Sequence, residues 1–373
     1  MVSRRTVLLS AAGALAAAGC SAEEPTPTGP VRVKPSAVAP SPPTSTASPV
    51  ATGSRTPGTL DPDRVEVAVE RLDQPWGLGF LPDGGALISL NGGDIVLVPP
   101  GGQPQVVGHL DVDDSGEGGL LGLAVSPHFA DDARVFVYHS TPTDNRIERL
   151  LLRDGSLTQD ATILEAIPHA GIHNGGRIAF GPDGLLYVAT GDASERPLSQ
   201  QRDSLAGKIL RITPDGQPGE GNPFGTRVWS YGHRNVQGLA WAPDSSMYAS
   251  ELGADSWDEF NRITPGGNYG WPDVEGLDET SDTVPPLLVW KPADASPSGV
   301  AITADSVAWM AALRGQRLWR IPLDGAEPTA HLVGTYGRLR TVEVGPDGRL
   351  WVLTSNRFRG QPAPTDDRLL LVG

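Results

Sequence analysis

The sequence is poor in cysteine and in charge. Its 373 residues include a single cysteine, Cys20, so no disulfide or thiolate metal cluster can stabilise the folded part. Charged residues are 20% of the total, and Gly 46 together with Pro 35 make up more than a fifth, which argues against helical bundles and coiled coils. No Gly-x-Ser-x-Gly sequence occurs, which argues against a serine hydrolase of the α/β type.

Basic residues are also in deficit. Lys+Arg 29 against Asp+Glu 44 gives a formal net charge of -15. This charge repels a phosphate backbone and anionic lipid headgroups, so nucleic acid is not expected as a partner. Because 373 residues exceed the usual size of one domain, the chain forms either two domains or one large repeat architecture.

The N-terminus is typical of an export signal. Arg4 and Arg5 precede an apolar run, Val7–Ala18, that is too short to span a bilayer. Small residues then lead directly to Cys20, which resembles a bacterial lipobox. We therefore predict a signal peptide at residues 1–19 and a lipid anchor on Cys20 at the outer face of a bacterial membrane. An ordinary signal peptide with an incidental cysteine is the alternative.

The arginine pair also resembles a twin-arginine export signal, and export by the general secretion route is the alternative.

The next segment has no hydrophobic period. Residues 20–58 consist almost entirely of Pro, Ser, Thr, Ala, Val and Gly, a composition that cannot bury enough surface to offset the entropy of ordering. We expect a disordered tether that its prolines keep extended. The folded part is then predicted to cover residues 59–373.

A turn followed by a short apolar run recurs through the folded part. Successive turn prolines lie 45, 55, 61 and 103 residues apart, and a degenerate copy at 303–305 divides the last gap. Pro and Gly supply the backbone angles that a tight turn between two strands needs. The six predicted turns are Leu81–Gly84, Ser126–Phe129, Gly181–Gly184, Ala242–Asp244, Thr303–Asp305 and Gly345–Gly348.

Six copies at a mean spacing of about 53 residues favour an all-β fold, a six-bladed β-propeller, in which each blade is a four-stranded antiparallel sheet. A two-domain β-sandwich is the alternative. In a propeller, functional residues gather where loops of several blades meet at the mouth of the central channel.

Three segments carry candidate chemistry, namely His169–Arg177, Tyr231–Gly238 and Glu251–Pro272, and an arginine pair adds a fourth candidate. A glycine-rich loop holds His169 and His173, which can accept a proton near neutral pH or merely bond a loop backbone. Its glycines make a helical zinc site improbable. The segment Glu251–Glu259 places four carboxylates around Gly253, and oxygen ligands of this kind suit calcium. Arg338 and Arg340 project to one face of a strand, for an anionic ligand or for surface ion pairs.

Together these segments resemble the soluble quinoprotein glucose/sorbosone dehydrogenase family, from about Leu72 to the C-terminus. The resemblance implies a six-bladed propeller that oxidises an aldose with pyrroloquinoline quinone (PQQ) and calcium. Its partners would be a small sugar and an unidentified electron acceptor. The motifs that carry it are Gly118–Ala124, His173 with Gly176 and Arg177, Thr190–Asp192, Gly207–Arg211, Gly232–Leu239 and Gly266–Pro272.

The resemblance also implies roles for individual residues. His173 would be the general base, and Arg234 and Asn235 would face the reacting carbonyl of PQQ. Gly253 and Ala254 would offer backbone carbonyls to calcium. Arg314, Arg338 and Arg340 would contact the carboxylates of the cofactor. Asp192 would lie at the cofactor pocket, and Glu117 and His173 would contact the substrate.

The sequence departs from the best-known glucose dehydrogenases at the predicted pocket. Ile172 stands where they have an aspartate beside the base, and Glu117 stands at a glutamine position. The region between Pro272 and Pro297 is short, which implies a more open pocket and a substrate other than glucose. Two alternative functions stay open, a non-catalytic binding or envelope accessory lipoprotein and a calcium-dependent lactonase-like hydrolase.

Overall fold

The computed structural model describes residues 29–32, 60–278 and 282–373. Cys20, the predicted signal peptide and most of the predicted tether lie outside the described residues. Helix is confined to α1 (Phe129–Asp132) and one 3-10 turn (Arg196–Gln200) in this part of the chain. None of the described helices is long and apolar enough to cross a membrane.

The strands form six antiparallel sheets, which confirms the predicted six-bladed β-propeller. In chain order they are β1 (Val31–Arg32), β2 (Val65–Val69), β3 (Pro75–Phe80), β4 (Ala86–Leu90), β5 (Asp94–Val98), β6 (Gln105–His109), β7 (Leu120–Val125), β8 (Arg134–Ser140), β9 (Asn145–Arg153), β10 (Ser156–Ile167), β11 (Ile178–Phe180), β12 (Leu186–Ala189), β13 (Lys208–Ile212), β14 (Val228–Tyr231), β15 (Val236–Trp241), β16 (Met247–Glu251), β17 (Asp258–Ile263), β18 (Leu288–Trp290), β19 (Pro297–Ile302), β20 (Val307–Ala312), β21 (Arg317–Pro322), β22 (Thr329–His331), β23 (Leu339–Val344), β24 (Leu350–Thr354) and β25 (Leu369–Val372).

Five blades are consecutive in sequence, namely β3–β6, β7–β10, β11–β14, β15–β18 and β19–β22. The sixth blade closes the ring, because β23, β24 and β25 are completed by β2 from the N-terminal side, with Val65 opposite Val372. Inside the segment predicted to be a tether, β1 adds a fifth strand to the fourth blade, with Val31 opposite Val289.

The recurring turns connect the first and second strands of the six blades, as predicted. Asp83 shows why the motif works, since its Oδ1 accepts the N–H of Gly85 at 2.8 Å. Gly84 has φ of +86° and donates its N–H to the carbonyl of Leu81 at 2.9 Å. A side-chain acceptor and a residue that tolerates positive φ together close this turn tightly.

Apolar side chains from neighbouring blades meet in the spaces between sheets. Phe136 of β8 and Leu210 of β13 are fully buried in one such cluster, which joins the second and third blades. Trp290 of β18 and Met310 of β20 are fully buried in another, which joins the fourth and fifth. This burial between sheets fixes the blades around the channel and so fixes the loops at its mouth.

Candidate active site

The predicted site residues converge because of strand direction. In an antiparallel blade the start of the first strand and the end of the second lie at the same edge of the sheet. His173, Asn235 and Arg338 precede first strands, whereas Asp192 and Arg314 follow second strands. The propeller thus collects them at one mouth of its channel from segments far apart in sequence.

His173 lies between a carboxylate and a guanidinium. Its Nδ1 is 2.8 Å from Oδ1 of Asp192, and its Nε2 is 2.9 Å from Nη2 of Arg234. Because arginine can only donate, Nε2 must be the acceptor of the neutral ring, and Nδ1–H donates to Asp192. Nε2, the nitrogen that lies against Arg234, is therefore the one able to accept a proton.

Asp192 is fully buried beneath His173 and does not line the cavity predicted for the cofactor. Its Oδ1 also accepts Ser194 N–H, and its Oδ2 accepts Nε1–H of Trp271, both at 2.8 Å. Burial raises the pKa of Asp192, but the hydrogen bonds from His173, Ser194 and Trp271 outweigh it and hold that pKa below its usual range. His173 therefore has a carboxylate partner in Asp192, although the residue beside it in sequence is Ile172.

The backbone around His173 is held tightly. His173 has φ of +61°, and a Cβ on Gly191 would lie 1.8 Å from its carbonyl oxygen. Asn235 is buried and accepts the N–H of Gly175 through Oδ1 at 3.0 Å. Asn235 thus supports the histidine loop in this structure, whereas the family resemblance placed it against the cofactor.

Arg234 is packed beside an aromatic ring and a buried carboxylate network. Its guanidinium lies 5.4 Å from the centre of the Trp271 ring and donates through Nη1 to Leu252 O at 3.2 Å. Burial lowers the pKa of Arg234, although nearby carboxylates oppose the change. The neighbouring His233 and Glu251 form a fully enclosed pair, with Nδ1 and Oε2 2.8 Å apart, that sequence inspection did not detect.

A cavity of about 210 Å³ adjoins this histidine loop. Asn174 and Gly175 of that loop line the cavity, as does Leu252, which directly follows β16, while His173, Asp192 and Arg234 stand outside its lining. The cationic side chains that line it are Arg314, Arg338, Arg340 and Arg359.

Two of these arginines have a buried N–H donor without an acceptor among the described residues. Arg340 donates to Oε1 of Gln237 at 2.8 Å, but its Nε and the Nε of Arg338 are buried with no partner among the described residues. Burial and the neighbouring Arg338 lower the pKa of Arg340 to about 9. Burial lowers the pKa of Arg338 as well. Arg314 is exposed at the rim.

Sequence reasoning missed two further arginines. Arg177 is buried across the channel, where it donates to Gln237 O at 2.8 Å and to Thr341 Oγ1 at 2.9 Å. Arg359 donates to Oε1 of Glu117 at 2.8 Å. Glu117, the predicted substrate contact, also accepts the N–H of His173 through Oε2 at 2.9 Å, so it supports the loop that carries His173.

The predicted calcium segment is organised differently from a carboxylate cage. Asp258 accepts the N–H of Gly253 at 3.0 Å, and Glu251 is committed to His233. No group of three or more metal-ligating side chains exists within the ranges that the structure describes. Only the backbone carbonyls of Gly253 and Ala254 therefore stay candidates in this loop. The side chain of Glu275, which sequence inspection did not single out, accepts hydrogen bonds from backbone N–H groups of the same loop.

Comparison with known proteins identifies the family. The family model of glucose/sorbosone dehydrogenase matches residues 72–361. The aldose sugar dehydrogenase of Escherichia coli K12 is 32% identical in an alignment of 337 residues that covers 78% of this chain and 89% of that protein.

Solved structures agree. The PQQ-bound aldose sugar dehydrogenase of Streptomyces coelicolor is 48% identical with a TM-score of 0.79, over 83% of this chain and 98% of that one. A putative oxidoreductase (glucose dehydrogenase) of Thermus thermophilus is 44% identical with a TM-score of 0.80, over 83% and 99%. The chain therefore belongs to the glucose/sorbosone dehydrogenase family of sugar-oxidising enzymes.

Proposed function

We propose that this protein oxidises an aldose at its anomeric hydroxyl to the lactone, with PQQ as hydride acceptor and calcium as its partner ion. The observation that carries the proposal is the line Asp192–His173–Arg234 beside a cavity where Arg338 and Arg340 have buried Nε–H donors without acceptors among the described residues. The PQQ-bound form of the 48% identical Streptomyces relative supports the cofactor.

The cavity fits a polyanionic cofactor. Two buried Nε–H groups, on Arg338 and Arg340, have no acceptor among the described residues, and an unpaired buried cation is costly until an anion reaches it. Arginine binds carboxylates through paired donors. Arg338, Arg340 and, at the rim, Arg314 would hold the carboxylates of PQQ. When bound, the quinone supplies the hydride acceptor.

His173 is the proposed general base. Its Nδ1–H bond to Asp192 leaves the Nε2 lone pair for the anomeric hydroxyl, and the carboxylate stabilises the imidazolium that forms when the proton arrives. Arg234 occupies Nε2 in this structure, so the sugar hydroxyl must take its place. The guanidinium then remains at the reacting end, where it can stabilise developing negative charge.

Calcium fits the carbonyl pair better than it fits any carboxylate cluster. Gly253 and Ala254 offer hard oxygen ligands next to the lining residue Leu252. A cation there would add to the polarising field of Arg234.

The predicted lipid anchor on Cys20 would hold this activity at the outer face of a bacterial membrane. Labelling of Cys20 with a radioactive fatty acid, with Cys20→Ser as the control, tests the lipid anchor.

Reconstitution tests the whole proposal. The purified chain is mixed with calcium and PQQ, PQQ binding is followed by equilibrium dialysis, and dye reduction is measured across a panel of aldoses. We expect binding and turnover on at least one sugar, and loss of turnover in His173→Ala. Tight PQQ binding without reduction of dye on any sugar would favour a binding protein instead, and absence of PQQ binding would refute the cofactor assignment.

A further inference from the structure

One carboxylate oxygen gathers the backbone of the proposed calcium loop. Oε1 of Glu275 accepts the N–H groups of Ala254 at 2.8 Å, Asp255 at 3.1 Å, Ser256 at 2.9 Å and Trp257 at 3.0 Å. Burial raises the pKa of Glu275, but these four donors outweigh it and hold that pKa below its usual range. The carboxylate is therefore the fixed centre of this turn.

This arrangement dictates where the loop carbonyls point. In a trans peptide the C=O of one residue is antiparallel to the N–H of the next. Because the N–H groups of Ala254 and Asp255 face Glu275, the carbonyl oxygens of Gly253 and Ala254 face the opposite side. These are the two oxygens proposed as calcium ligands.

The loop has a second attachment point. Asp258 accepts the N–H of Gly253 through Oδ1 at 3.0 Å and the N–H of Ser296 through Oδ2 at 2.6 Å. Glu275 is itself anchored, because the next residue, Gly276, donates its N–H to Oε1 of Glu259 at 2.7 Å. A Cβ on Gly276 would lie 2.4 Å from Cδ1 of Trp257, so the two loops are in close contact.

We propose that Glu275 is a positioning residue for calcium, which aims the carbonyls of Gly253 and Ala254 by collecting the amides behind them. The inference rests on the calcium site proposed above and adds the residue that shapes it. Groups behind the direct ligands of a metal commonly change its affinity by about 10- to 100-fold.

The carboxylate could act in two ways, and two variants separate them. Glu275→Gln removes the negative charge but keeps an acceptor oxygen at the same reach. Glu275→Asp keeps the charge but is one methylene shorter, so its oxygen cannot reach the centre of the four amides. If Glu275 positions the loop, the Glu275→Asp variant binds calcium more weakly than the Glu275→Gln variant does. If Glu275 only attracts the cation by its charge, the order of the two affinities is reversed.

Calorimetric titration of calcium into the metal-free chain, without PQQ or sugar, gives the affinity directly. We expect Glu275→Asp to raise the dissociation constant by about tenfold or more and Glu275→Gln by less. The matched control is Asp273→Asn, which removes an exposed charge from the same loop and should leave the affinity unchanged. Thermal unfolding of each metal-free variant checks that the propeller is intact.

The outcomes are distinct. If the wild-type chain binds calcium and both Glu275 variants bind it with the wild-type affinity, the positioning role is overturned. Weaker calcium binding by Glu275→Gln than by Glu275→Asp would overturn it as well. Absence of calcium binding in the wild-type chain would instead refute the calcium part of the proposed function. A variant that loses stability but keeps its calcium affinity would show a purely structural role.

Discussion

Asp192 determines which nitrogen of His173 carries the proton. Both of its oxygens already accept N–H groups, from His173 and Ser194 on one side and from Trp271 on the other. An asparagine at this position must present its NH₂ group to one of those donors. If His173 moves its proton to Nε2 in response, Nε2–H meets the donor Nη2 of Arg234, and the lone pair that the proposed reaction needs is lost.

We therefore expect Asp192→Asn to lower kcat by about 100-fold or more, within the range usual for loss of general-base catalysis. Steady-state dye reduction with the best sugar measures it, and equilibrium dialysis should show unchanged PQQ binding. Asp244→Asn, in an exposed turn of the same propeller, is the matched control. An unchanged kcat in Asp192→Asn would remove His173–Asp192 from the proposed chemistry.

We expect Arg340 to lower the stability of the cofactor-free chain and to raise its affinity for PQQ. Its guanidinium is buried beside Arg338, and its pKa of about 9 shows that the folded chain holds this cation unfavourably. Arg340→Met keeps the length of the side chain without the charge. We expect the cofactor-free variant to unfold at the same or a higher temperature than the wild-type chain, because a poorly compensated buried charge is removed.

The same variant should bind PQQ about tenfold more weakly or worse, since one charge-assisted contact is lost. Calorimetry or dialysis measures the affinity, and Arg153→Met on an exposed strand end is the control. A clear fall in the unfolding temperature, together with unchanged PQQ affinity, would make Arg340 a structural residue and refute its place in the cofactor site.

At the scale of the elements, the blades could be predicted from patterns of adjacent residues, whereas the site depends on contacts between residues far apart in sequence. The turn at Gly181–Gly184 could be predicted because Pro, Asp and Gly act within four residues of each other. His173 is a candidate because a histidine in a glycine-rich loop is open to substrate and can accept a proton near neutral pH. Its partner Asp192 is 19 residues away on the other side of β11 and β12, and no local pattern joins them.

Glu275 illustrates the same limit. Its four amide partners lie 18 to 21 residues earlier in a loop without regular structure. Backbone amides are present at every non-proline residue, so the sequence contains no mark of which ones a carboxylate will collect. The carboxylates between Glu251 and Glu259 attracted attention because they are dense, yet Asp258 and Glu259 accept hydrogen bonds within the fold.

Strand β17 carries a buried acid that should make stability depend on pH. Burial, with Glu251 nearby, raises the pKa of Glu259 to about 8. The folded chain then keeps a proton that the unfolded chain releases near its ordinary pKa. Because the unfolded state binds fewer protons in this window, this group lowers the free energy of unfolding as pH rises from about 5 to about 8.

Glu259→Gln should remove that penalty. The Gly276 N–H keeps its acceptor, and the buried Oδ1 of Asn261, which has no partner among the described residues, can turn to accept from the new amide. We expect a higher unfolding temperature than wild type at about pH 8–9 and little difference near about pH 5. Asp258, with a pKa raised to about 7 by burial, keeps part of the pH dependence in the variant.

Thermal unfolding of both chains across this pH range measures the effect, and Glu220→Gln, at an exposed position, is the control. A variant that is less stable than wild type at the alkaline end of the range would contradict the prediction. It would show that the Glu259 carboxylate is needed in its ionised form by Gly276 and Asn261.

The whole molecule depends on how its ring is closed. Strand β2 is the outermost strand of the sixth blade, so residues near the start of the folded part hold those at its end. It pairs along β25, where Leu369–Val372 are all buried, and Glu66 of β2 reaches Arg349 at 2.7 Å. Without β2 the chain would end in an unpaired hydrophobic edge strand, which exposes backbone donors and acceptors and invites aggregation.

A chain that begins at residue 71 should therefore be insoluble or unfold at a temperature lower by about 5 °C or more, since it loses the buried Val69 and a full ladder of backbone bonds. A chain that begins at residue 60 keeps β2 and, among the described strands, loses only β1, so it is the control that separates ring closure from the short strand at Val31–Arg32. Both are compared with the full chain by thermal unfolding and gel filtration. If the shorter chain stays monomeric with the unfolding temperature of the control, the ring does not need its N-terminal strand, because a blade of three strands is then sufficient to hold the propeller shut.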